Sequence, residues 1–186
     1  MLLRANFELM ADYNRWMNQN IYLAASELST EELNKNRGAF FESIIGTLNH
    51  ILVGDIVWLK RFADHPSAYK ALDPVRALAK PKALNAILYS DFSDLHSARE
   101  QIDDVISFFV KELNERDLVA DFLYTNSKQQ AYNKNFAFVI QHFFNHQTHH
   151  RGQLSTLFSQ MGIDIGATDL LLCIPDTNQP ELGIRR

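Results

Sequence analysis

Four segments of the chain carry apolar residues at alternating spacings of three and four, the repeat of one buried helix face. The first runs from about Leu3 to Leu28 and aligns Leu3, Phe7, Met10, Met17, Ile21, Ala24 and Leu28, with Asn14 as a polar member of the seam. Ser29-Thr30-Glu31-Glu32 follows and reads as a capping box that opens a short extra turn. The second begins at the N-cap candidate Ser43 and runs to Phe62 through Ile44, Leu48, Ile51, Asp55 and Trp58, with Asp55 as the polar intruder. The third, from about Ser93 to Leu113, aligns Leu95, Ala98, Ile102, Val105 and Phe109. The fourth, from about Asn135 to Met161, stops at Gly162, a residue suited to the left-handed position after a helix.

Residues 63–92 contain Pro66, Pro74 and Pro81 and predict a long connection with room for a short helix. Residues 118–134 lose helical period, and Phe122, Tyr124 and Tyr132 flank Asn126-Ser127-Lys128, the pattern of a small hairpin. Four helices of about 20 residues predict an all-α four-helix bundle with an irregular or hairpin excursion before the last core helix. One domain is expected over 1–172, followed by an irregular tail over 173–186 whose last ten residues are expected to be disordered.

Composition narrows the picture. The chain has 186 residues, with 13 Phe against 7 Gly and 5 Pro, which favours long helices over a meander of short strands. A net charge of −4 without a basic block argues against nucleic-acid binding. Cys173 is the sole cysteine, which excludes an internal disulfide and fits a reducing compartment. The start MLLRANFELM does not read as a signal peptide, and no apolar run reaches the length of a membrane span. A cytoplasmic location is expected.

The chemistry concentrates in FVIQHFFNHQTHHRGQL on the fourth segment. At about 100° per residue, His146, His150 and Gln153 fall on or beside the apolar stripe of Val139, Phe143, Leu154, Leu157 and Met161. His142 and His149 fall at its edge, and Arg151 is expected to face outward or toward a loop. There it would bind an anionic substrate or pair with an acid. Histidines four apart stand about 6 Å from one another along the axis, so their rings can converge on one ion. Buried imidazoles without partners cost roughly 1–3 kcal/mol each. A shared cation satisfies both; the plainer reading is one hydrogen-bonded core histidine and one surface residue.

His50, on the second segment, has Gly46 and Gly54 one turn to either side. Small neighbours leave a hollow for a ligand; alternatively they let two helices approach. Three neutral imidazoles suit Zn²⁺ or Ni²⁺ and leave a coordination position open. A di-iron carboxylate site is excluded, because residues 135–162 contain no Asp or Glu. Cys173 follows Leu170-Leu171-Leu172 and reads as packing.

Tyr13-Asn14-Arg15-Trp16-Met17-Asn18, Leu48-Asn49-His50 with Asp55 and Trp58-Leu59, and above all His146-Gln147-Thr148-His149-His150-Arg151-Gly152-Gln153 resemble the DinB family, within the wider DinB/YfiT-like group of bacterial metalloproteins. The resemblance covers roughly residues 1–172. It implies an up-up-down-down bundle, a homodimer, and a metal held by one histidine of the second core helix and two of the last. By position these are His50, His146 and His150. Relatives include enzymes that use low-molecular-weight thiols, among them S-transferases and a maleylpyruvate isomerase. The DinB branch is named for induction by DNA damage and mostly lacks an assigned reaction.

Two functions follow as expectations. One is a metal-dependent transferase or hydrolase acting on a small molecule, with a thiol as possible cosubstrate. Gln153 would orient the nucleophile there, and Asn14 and Asp55 would fix a histidine tautomer. The plainer roles for the last two are helix register for Asn14 and an ion pair with Arg15 or Arg99 for Asp55. The other function is a non-catalytic dimeric stress-response protein that binds a metal or ligand. A cleft beside the ion marks the first. A fourth ligand from His149, His142 or Asp55 marks the second.

Overall fold

The computed structural model describes residues 2–126 and 128–176. It is mostly helical, with one small sheet. The helices are α1 (Leu3–Ser26), α2 (Thr30–Asn34), α3 (Ile44–Ala63), α4 (Asp73–Ala77), α5 (Phe92–Glu112), α6 (Glu115–Val119) and α7 (Phe136–Gln160), and strands β1 (Asp121–Thr125) and β2 (Ala131–Asn135) precede α7. The principal contacts among the long helices join α1 to α5 and α7, and α3 to α7 and α5. No helix among the described residues is long and apolar enough to cross a membrane.

Local chemistry sets the helix ends. Ser29 and Glu32 exchange the two bonds of a capping box. The Ser43 hydroxyl accepts from the Gly46 N–H at the start of α3. Asn135 does the same for the Phe138 N–H at the start of α7. α7 ends at Gly162, with φ 74°, where the Gly162 and Ile163 N–H groups return to the carbonyls of Ser159 and Phe158. α1 has no side-chain cap of its own. The Glu115 carboxylate reaches across from α6 and accepts from the N–H groups of Leu3 and Arg4.

The long connection contains a 3₁₀ turn (Lys70–Leu72) and α4, with Pro74 in its first turn. The predicted hairpin is present: β1 and β2 pair antiparallel with Tyr124 opposite Tyr132. Phe122 points into the core from β1 and packs on Phe62, whose ring also meets Phe109, Phe136 and Phe143 at 5.5–5.8 Å. Most of the abundant phenylalanine is thus core, with Phe40, Phe108 and Phe138 exposed. Three details differ from the pattern. α1 stops two residues early, at Ser26. α6 stands where period was lost, started by the Asn114 side chain accepting from the Asp117 N–H. A 3₁₀ turn (Leu170–Cys173) reaches one residue into the tail expected to be irregular. The disorder expected for the last ten residues falls outside the described residues.

Candidate metal centre

α3 and α7 pack side by side and bring three imidazoles together. Nε2 of His50 lies 3.0 Å from Nε2 of His150 and 3.2 Å from Nε2 of His146. Their outer nitrogens fix the tautomers of two of them. Nδ1 of His50 donates to the Leu84 carbonyl at 2.7 Å, and Nδ1 of His150 meets Oε1 of Gln153 at 2.8 Å. With the proton on Nδ1 in both, each Nε2 presents a lone pair to the centre.

Lone pairs 3 Å apart repel unless a proton or cation lies between them. A second proton on any of the rings is disfavoured, so the neutral forms face one another and a cation can take the lone pairs they present. Burial first, then the neighbouring histidines, pulls His146 down from the usual 6.5 to about 3, and burial also lowers His50 and His150. A tetrahedral ion with bonds of about 2.0–2.1 Å spaces its ligand nitrogens about 3.3–3.4 Å apart, close to the separations seen. The donor set therefore fits one borderline divalent cation. Among the described residues, these three form the one cluster of His, Cys, Asp or Glu close enough to share an ion. His149 and His142 are exposed on α7, and Asp55 points elsewhere.

The two glycines of α3 do separate jobs. A Cβ at Gly46 would lie 2.2 Å from the Phe41 carbonyl oxygen, so this glycine lets the preceding loop cross closely. A Cβ at Gly54 would lie 2.6 Å from Cε1 of His146. The hollow expected around His50 belongs to His146 instead. His50 is covered by Phe41, stacked on it with ring centroids 3.7 Å apart, and Phe41 also meets the His150 ring at 5.5 Å. Beside the triad opens a cleft of about 710 Å³, which His50 and His150 line together with Phe40, Phe41, Leu84, Asn85, His149 and Gln153.

Of the other candidates, Gln153 lies at the site, holding His150. Asp55 is fully buried, 2.5 Å from Nη1 of Arg99, and accepts from Nε2 of Gln147 at 2.7 Å. Asn14 donates to Asp103 at 3.3 Å and accepts from Arg151. The groups that fix the histidine tautomers are the Leu84 carbonyl and Gln153 rather than Asn14 and Asp55. Arg151 corrects the outward placement: it is buried against Asn14 and Asn18, under the Tyr13 ring. Its guanidinium is pulled down to about 10 by that burial.

These residues form one interior polar network across all four long helices. Arg99 of α5 sits between Asp55 and Asp103, at 3.0 Å from the latter, and Asn18 donates to Asp103 at 2.9 Å. Burial raises Asp55, and raises Asp103 to about 6.

A model of the DinB family matches residues 1–181. The chain belongs to the DinB family. Among its DinB relatives, Protein DinB of Bacillus subtilis (strain 168) is 26% identical over 172 residues, covering 85% of this chain and 87% of that protein. The uncharacterized protein YizA of the same organism is 27% identical over 145 residues, covering 77% and 80%. The histidine cluster of this DinB chain joins segments nearly a hundred residues apart, within the span the family model covers.

Sequence reasoning missed Phe41, Leu84 and Gln147. Phe40-Phe41, two aromatics in a short polar loop before the ligand helix, was a readable signal. Gln147 lies at about 100° from His146, inside the apolar stripe, and was readable too. Leu84 acts through its backbone carbonyl, for which a sequence carries no mark.

Proposed function

We propose that the protein binds one divalent ion, zinc or nickel, through Nε2 of His50, His146 and His150. We read it as a transferase or hydrolase that acts on a small molecule with a low-molecular-weight thiol as cosubstrate. The observation that carries this reading is the convergence of three imidazole Nε2 atoms at the edge of an open cleft. A structural site would be closed by a fourth side chain, and the cluster among the described residues has three members. When bound, the ion would supply Lewis acidity that lowers the pKa of a water or thiol toward neutrality.

The chain's own residues have defined parts. The Leu84 carbonyl and Gln153 keep the Nδ1 protons of His50 and His150, so both Nε2 atoms stay donors. Phe41 shields the His50 ring from bulk water. The contacts of α1 with α5 and α7, and of α3 with the same two, support an up-up-down-down four-helix bundle. A homodimer in the cytoplasm is part of the same proposal.

Cobalt-substituted protein tests the thiol. Adding a simple thiol such as 2-mercaptoethanol is expected to change the visible absorption of the cobalt. The same mixture should transfer the thiol to an alkylating electrophile faster than chelator-treated protein does. An unchanged spectrum together with chelator-independent transfer would contradict the proposal.

A further inference from the structure

We infer that the protein walls of the cleft beside the histidines, as distinct from an ion held there, favour a neutral, flat, apolar molecule, an aromatic ring bearing a hydrogen-bond acceptor, over a carboxylate or phosphate. The inference deepens the reading above and rests on its choice of this cleft as the substrate side.

The walls decide the charge. Phe40, Phe41 and Leu84 supply apolar surface; Asn85, His149 and Gln153 supply polar atoms; and no Lys, Arg, Asp or Glu among the described residues lines the space. The cation that the sequence offered for an anionic substrate, Arg151, is turned into the interior and engaged by Asn14 and Asn18. A carboxylate entering the cleft would lose water without gaining an ionic partner from the protein. The volume of about 710 Å³ lies in the range of small-molecule sites.

The aromatic wall decides the shape. Phe40 is 85% exposed, although the loop that carries it is held by defined bonds. The Arg37 N–H donates to the Glu42 carbonyl at 2.7 Å and the Glu42 N–H donates to the Ala39 carbonyl at 2.8 Å. Gly38 and Glu42 both adopt positive φ to make the turn. The loop therefore holds a phenyl ring out in water at the cleft mouth, edge-on to Phe41 with centroids 4.9 Å apart. Phe41 in turn is fixed by its stacking on His50. A planar ring entering the cleft covers Phe40 and finds edge and face partners already placed. Gln153 commits Oε1 to His150; its Nε2 amide lies 3.5 Å from Nε2 of His149 and has a second N–H to donate to an acceptor on the ligand.

The test is a titration of ¹⁵N-labelled, metal-free protein with acetophenone, benzoate and benzylammonium. Acetophenone should shift the backbone amides of residues 40, 41, 84, 85 and 153, and bind metal-free protein at least about tenfold more tightly than either ion. Phe40→Ala, at an exposed position, should weaken acetophenone at least about fivefold. Benzoate binding metal-free protein as tightly as acetophenone, shifts centred elsewhere, or an unaltered Phe40→Ala titration would each overturn the inference. Zinc stoichiometry, measured in parallel, reports on the metal reading separately. Protein that prefers acetophenone but takes up no zinc would sink that reading and leave this one standing.

Discussion

Gly54 shows how one side chain, by its absence, builds the centre. The ring of His146 occupies the space where a methyl group would stand. Gly54→Ala should therefore push His146 away from His50 and weaken zinc binding at least about tenfold, while changing the melting temperature by only a few degrees. Competition with a chromophoric chelator measures the first and thermal denaturation the second; unaltered zinc affinity would contradict the packing argument. The sequence showed a glycine at this position but not its partner. Gly46 and Gly54 sit symmetrically about His50, and periodicity along one helix says nothing of which residue arrives from another. The three histidines that converge were legible as candidates because the i, i+4 pair falls on the apolar face of α7 and His50 stands between two glycines of α3.

At the scale of elements, α7 carries two pairs four apart, offset by one residue. His146 and His150 turn toward His50; Gln147 and Arg151 turn toward the interior network. Asp55 grips Gln147 from α3, and Asn14 and Asn18 grip Arg151 from α1. The network thereby sets the rotation at which α7 presents His146 and His150. Arg99 holds the two buried carboxylates together, so Arg99→Ala should destabilise the fold by about 3–5 kcal/mol, the usual cost of leaving buried charge uncompensated. Urea denaturation measures this, and a loss below about 1 kcal/mol would contradict the network's role. The helix ends were legible from Ser29, Ser43, Asn135 and Gly162, because caps are local chemistry. Arg151 was misplaced because the buried stripe of α7 is wider than its apolar members: it extends through Gln147 to a charged residue whose partners lie on a distant helix. α6 is five residues long, too short to display a period.

For the whole molecule, folding desolvates more histidines than carboxylates, His142 only in part. His50, His65, His142, His146 and His150 are all lowered, with burial the largest cause in each. A lowered histidine contributes stability that is full above its unfolded value near 6.5 and is lost as pH falls toward its folded value, about 3 for His146. Asp55 and Asp103 act the other way. Raised by burial, they contribute stability present below their unfolded value, and for Asp103 this is lost as pH rises through about 6. With five groups against two, metal-free protein should have a lower urea midpoint at pH 5.5 than at pH 7.5. A higher midpoint at pH 5.5 would show that the carboxylates outweigh the histidines.

The account as a whole depends on three imidazoles from two helices sharing one ion. Elemental analysis of purified protein after zinc loading and desalting measures this most directly, on the native chain and on His50→Ala and His150→Ala. One zinc per chain in the native protein and none in either variant, with helical circular dichroism retained, is the predicted result. Equal metal content in all three proteins would contradict it.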